Sequence, residues 1–86
     1  MKALNSVIIE GDFAHFTSKK GSPDVSFMLY NNNNSYNVST SGVLGSLVTS
    51  NCKKGRGLRI VGRLEKIGRS VIIKAEHLEL KPKTNN

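Results

Sequence analysis

Between Cys52 and Arg69 the chain reads CKKGRGLRIVGRLEKIGR, which sets seven cations against one acid, Glu65. The cations are Lys53, Lys54, Arg56, Arg59, Arg63, Lys66 and Arg69, seven of the thirteen Lys and Arg in 86 residues. Fixed cations strung along a surface hold phosphates strung along a strand, because each contact releases a counterion from the polyanion. The same stretch also alternates Leu58, Ile60, Gly62 and Leu64. That alternation turns Arg59, Val61, Arg63 and Glu65 to the opposite face. The competing reading is therefore a core strand whose outer face is merely solvated.

Few other residues offer chemistry. Lys19 and Lys20 sit in TSKKGSPD, a polar stretch with Gly and Pro that reads as a turn, and they join the candidate phosphate contacts. In VSFMLY, residues 25–30, Val25, Phe27 and Leu29 share the inward phase, so Ser26, Met28 and Tyr30 face out. An outward Tyr can stack a base. His15 and His77 lack a second ligand at metal spacing, and the carboxylates Glu10, Asp12, Glu76 and Glu79 show no pairing for acid–base catalysis. Gly55–Gly57 is not followed by Lys-Ser/Thr, so there is no phosphate loop of the nucleotide-hydrolase type. The expectation is a binding protein, neither an enzyme nor the holder of a cofactor or metal.

Composition agrees with that class. The formal net charge is +7 with 37% hydrophobic residues, which favours a folded chain with a polyanionic partner. One cysteine excludes an internal disulfide framework and points to a reducing compartment. No apolar run approaches a membrane span and no signal-peptide core is visible, so the expected location is cytoplasmic, with the nucleoid. One small core makes self-association a natural source of stability.

The elements follow from periodicity. NSVIIEGDF alternates Val7, Ile9, Gly11 and Phe13 inward as a first strand, with a bend or bulge expected at Gly11. The second strand is VSFMLY, and Asn31 to Asn34 make the turn into a third, residues 35–40, with Tyr36, Val38 and Thr40 in one phase. The period then changes: Val43, Leu44, Leu47 and Val48, with Cys52 a turn later, predict a helix. Ser41 is its expected N-cap, Lys53 and Lys54 its last turn, and Gly55 its stop. A fourth strand spans Leu58 to Glu65, a turn falls at Ile67–Gly68, and a fifth strand spans Val71 to Leu80. The fifth switches phase from Val71, Ile73 and Ala75 to Leu78 and Leu80, which predicts a bulge near Glu76 or His77. Residues 1–81 are read as one domain and 82–86 as a frayed polar tail. Five strands with a helix between the third and fourth is the order of the OB-fold, an all-β Greek-key barrel.

The residues also carry a family resemblance. NSVIIEGDF is similar to the opening N-x-V-x-L-x-G-x-L of bacterial single-stranded DNA-binding proteins. YNVSTSGVLGSLVTSNCKKGRGLRIVGRLE resembles their third strand, helix and fourth strand, and VIIKAEHLELKPK their last. That last stretch also resembles primosomal replication protein B, a shorter dimeric relative. The resemblance implies single-stranded DNA binding in replication, recombination or repair, without sequence specificity, by a homodimer or homotetramer. The chain has no Trp, and Ser41 stands where the family carries a stacking Phe, which leaves Tyr30 as the outward aromatic. RNA as ligand, and an OB-fold used mainly for protein assembly, remain open alternatives.

Overall fold

The computed structural model describes residues 5–18 and 24–82. Lys19, Lys20 and residues 83–86 of the expected tail lie outside the described residues. The order is β1 (Val7–Ser18), β2 (Val25–Asn31), β3 (Asn34–Thr40), α1 (Gly42–Asn51), β4 (Gly57–Ile67) and β5 (Ser70–Leu80). The strands close as a barrel, β1-β2-β3-β5-β4. Its pairs are antiparallel except for β3–β5, a parallel seam of two residue pairs, Val38↔Ile73 and Ser39↔Lys74. This is the OB-fold the strand order implies.

Alternation builds the core. Phe27, Leu29, Val38, Leu58 and Ile60 are fully buried, and Phe13 stacks on Phe27 at 5.3 Å and meets Phe16 edge-on at 4.9 Å. The phase change in β5 is a bulge: Val61 pairs His77 and Gly62 pairs Ala75, leaving Glu76 as the extra residue. Both Ala75 and Leu78 thereby reach the interior. A Cβ on Gly62 would run into the Lys74 backbone carbonyl, so only glycine lets β5 come this close.

β1 departs from expectation. Gly11 lies in regular pairing with Leu58, and the irregularities fall later, where Ala14 and Thr17 have no partner in β2. Gly11 is there for proximity, since a Cβ would strike the Tyr30 carbonyl oxygen.

The helix also corrects the sequence reading. Ser41 holds the N-cap position in an extended conformation, with no side-chain capping hydrogen bond. The helix stops at Asn51, and Cys52 is extended, donating its N–H to the Val48 carbonyl at 2.9 Å. Lys53 and Lys54 thus follow the helix, and Gly55, at φ 91°, belongs to the connection into β4. The buried Cys52 fixes the exit, because the chain turns outward once that side chain is seated in the core. Val43 was expected on the core face but is 84% exposed. It lies about 140° round the helix from Val48, outside the buried stripe.

The β4–β5 hairpin turns at Gly68 and Arg69, one residue later than expected, with Gly68 at φ 61°. Its outer part leaves the barrel. β1 pairs β4 only as far as Val7↔Gly62, after which the Asn5 side-chain amide continues the ladder. Its Nδ2 donates to the Leu64 carbonyl at 3.0 Å and its Oδ1 accepts the Leu64 N–H at 3.3 Å. Leu64 and Val71 keep the inward phase yet are 45% and 57% exposed, because no strand lies opposite them here. The projecting hairpin accounts for dimensions of 47 × 29 × 22 Å.

Candidate nucleic-acid interface

The barrel presents two outer faces that share β1. Across β1, β2 and β3 the outward rows are Asp12–Tyr30–Ser35, His15–Met28–Asn37 and Ser18–Ser26–Ser39. No Lys or Arg lies in these rows. Tyr30 is 48% exposed in the middle of the first row. Tyr36 is half-buried against the core, as its phase predicts. Among the described residues the face is polar, nearly neutral and carries one open aromatic ring.

Across β1, β4 and β5 the outward rows are Glu10–Arg59–Glu79 and Ile8–Val61–His77, followed by Arg63 beside Lys74 and Glu76. Here the charges meet one another. Arg63 Nε lies 3.0 Å from Glu76 Oε2, and Arg59 Nε lies 3.9 Å from Glu10 Oε2. Glu10 also takes Lys81 Nζ at 3.1 Å, while His77 Nε2 lies 3.7 Å from Glu79 and would pair with it only when protonated. These pairs are about half exposed, so each contributes little to stability, but they occupy the guanidinium groups.

The seven cations therefore fall into three groups. Arg59 and Arg63 sit mid-strand with acidic partners. Lys66 and Arg69 are exposed at the hairpin end. Lys53, Lys54 and Arg56 lie in the connection into β4, which is held to β1 where Phe13 donates to the Arg56 carbonyl and Gly55 donates to the Phe13 carbonyl, both at 2.8 Å. The connection and the hairpin end are separated by the length of β4, about 33 Å at the usual strand rise. Arg56 turns partly inward; its Nε is buried with no hydrogen-bond partner among the described residues. The Cys52 thiol is pushed above its usual pKa by burial, with Arg56 pulling the other way. A raised pKa leaves it protonated near neutrality, so it is no nucleophile.

Beside Tyr30 a cleft of about 290 Å³ opens between β1, the β2–β3 turn and the chain leaving β5. Asp12, Asn32 and Lys81 line it with Tyr30. Asn31 Nδ2 donates to the Glu10 carbonyl at 2.8 Å and ties the turn to β1. Asn32 adopts φ 58°, the left-handed conformation foreseen for this asparagine run. Lys81 reaches the site because its N–H bonds the Gly57 carbonyl at 3.0 Å, which lays its side chain across Gly57 towards Glu10. Asp12, Asn31, Asn32 and Lys81 escape a reading of the sequence, since cross-strand register brings them together. Gly11 was the one available signal of close approach. Among the described residues no group of three or more His, Cys, Asp or Glu could hold a metal ion. No described helix is long and apolar enough to cross a membrane.

No protein-family model matches the chain, and no curated protein matches it by sequence. Solved structures do match its fold. The wild-type single-stranded DNA-binding protein of Thermus aquaticus superposes with a TM-score of 0.80 at 25% identity, over 96% of this chain and 43% of that one. The mitochondrial single-stranded DNA-binding protein Rim1 of S. cerevisiae superposes at 0.78 with 12% identity, covering 98% and 100%. The S. pombe Stn1-Ten1 complex superposes at 0.79 with 13% identity, covering 93% and 60%. The chain thus spans under two thirds of the Thermus and S. pombe chains.

Proposed function

We propose that this protein binds single-stranded DNA, without strong sequence preference, in replication, recombination or repair. Binding runs across the outer face of β1–β2–β3, the bases meeting Tyr30 and the phosphates meeting cations at its margins. One observation carries the reading: a chain of net charge +7 closes as an OB barrel with an exposed aromatic on the outer side of β2. The likeness to single-stranded DNA-binding proteins of known structure supports it, and so does the resemblance of the sequence to the bacterial family. No step of catalysis is involved. The cytoplasm is the proposed location.

The margin cations are Lys53 and Lys54 on one side and Lys66 and Arg69 on the hairpin. Titration of a labelled single strand of mixed sequence over a salt series tests the proposal. Log affinity falls with log salt at about −0.7 per phosphate contacted, a slope of roughly −2 to −4 for a few contacts. Absence of binding at low salt would overturn it in favour of an assembly role.

A separate observation supports self-association as a dimer or tetramer. Ile8 is 62% exposed on β1 and pairs with the half-buried Val61 on the ion-paired face, so an apolar pair interrupts its charged rows. Sedimentation at micromolar concentration gives the mass of an oligomer; a monomer there excludes it.

A further inference from the structure

Asp12 is the direct cross-strand partner of Tyr30, so its carboxylate stands beside the ring on the same outer face. It lines the cleft together with Glu10, but the two acids differ. Glu10 is neutralised by Arg59 and Lys81, whereas Asp12 makes no ion pair or side-chain hydrogen bond among the described residues. Asp12 is exposed. It is an acceptor without a donor, next to the aromatic on which a base would stack.

From this juxtaposition we infer that Asp12 makes the Tyr30 position selective for bases that carry an exocyclic amino group, and against thymine and uracil. The inference rests on the single-strand reading above and refines it. A base laid on Tyr30 turns one edge towards Asp12. Cytosine offers its N4 amino hydrogens to the carboxylate, adenine its N6, and guanine the parallel N1–H and N2–H donors that match both oxygens. Thymine offers only N3–H between two carbonyl oxygens, and those repel a carboxylate. The nearby Lys81 stays with Glu10, so it does not quench Asp12.

The selectivity is also in keeping with the site's construction. Gly11 allows β2 to approach β1, and Asn31 clamps the turn onto Glu10, so backbone pairing sets where the Asp12 and Tyr30 side chains leave the sheet. A polar group carried on a paired strand discriminates better than one on a free loop. Phosphates are handled elsewhere, at cations outside this row, so base choice and charge attraction separate.

The test compares oligo(dC) with oligo(dT) of equal length, for the wild type, Asp12→Asn and Glu79→Gln, at one salt concentration. The wild type binds oligo(dC) about fivefold tighter or more, the low end of what a base-edge contact discriminates. Asp12→Asn brings the ratio close to one, mainly by improving oligo(dT), because an amide can donate to thymine O4. Glu79→Gln, a carboxylate on the β1–β4–β5 face away from the cleft, leaves the ratio unchanged. Equal wild-type affinities overturn the inference, as does an Asp12→Asn variant that strengthens both ligands by the same factor, which would mark Asp12 as a repulsive charge only. A ratio that collapses equally in Glu79→Gln also overturns it. Failure of every strand to bind at low salt overturns the single-strand reading itself, which distinguishes the two failures.

Discussion

The β1–β2–β3 face and the β1–β4–β5 face are built on the same first strand and handle charge in opposite ways. The second holds Arg59 and Arg63, yet each lies against a glutamate, and its outward surface is close to balanced. The first has no Lys or Arg in its rows, but it has Tyr30, Met28 and an unpaired carboxylate. Cation density along a sequence is therefore a poor guide to where a polyanion sits. Strand pairing decides whether a cation faces solvent or a carboxylate. An open aromatic on a quiet face is the better candidate for a base.

The comparison breaks most violently if the strands behind it are forced apart. Gly62→Ala puts a methyl group into the Lys74 carbonyl and should cost about 2–3 kcal/mol by overpacking. At 4–8 °C per kcal/mol for a domain this small, thermal unfolding should show a loss of roughly 10–20 °C. The next effect separates free from paired cations. Replacing Lys53, Lys54, Lys66 and Arg69 together with Gln should flatten the salt slope by up to about 2.8, four contacts at 0.7 each. The double variant of Arg59 and Arg63 to Gln should move that slope by less than about 0.7. If the double variant instead loses more than the quadruple one, the ion-paired face is the DNA face.

Tyr30→Ala sharpens the other half. Stacking on one aromatic contributes about 1–3 kcal/mol, so affinity should fall roughly 5- to 150-fold at every salt concentration with an unchanged slope. An unaltered affinity would leave the β1–β2–β3 face without a role. The smallest effect is expected from Glu76→Gln, which removes the partner of Arg63. An exposed pair of this kind is worth about 0.2–1 kcal/mol, read as a small shift in the denaturant midpoint. The same change frees Arg63, and a modest gain in DNA affinity at low salt would show that pairing had kept it quiet.

Much of the fold was legible because period-two alternation encodes one thing, the side of the sheet, and the barrel asks for nothing else. The Glu76 bulge could be found from Leu78 and Leu80 falling out of phase with Ile73 and Ala75. The helix end was misplaced because Gly55 looks like a stop, while the actual determinant is the seating of Cys52 in a core the sequence does not display. Leu64 and Val71 have the inward phase of buried residues and are exposed, since alternation says which side a residue takes but not whether another strand covers it. The candidate site was the least legible part. Tyr30 was visible from phase, but its neighbours Asp12 and Lys81 come from register and from a chain segment 69 positions beyond Asp12.

The parallel seam has a consequence for how the protein assembles. β2–β3 and β4–β5 are local hairpins, each joined through two turn residues, and both can zip early. β3 and β5 meet only through Val38↔Ile73 and Ser39↔Lys74, across a chain separation that includes the whole helix. That junction must wait until the rest is in place, and with two residue pairs it is also the natural first point of rupture. Amide protons at Ser39 and Lys74 should then exchange with solvent sooner than those of the β1–β4 ladder. The barrel in this account is a rolled sheet with a narrow zip, able to part along one line while its two hairpins stay intact.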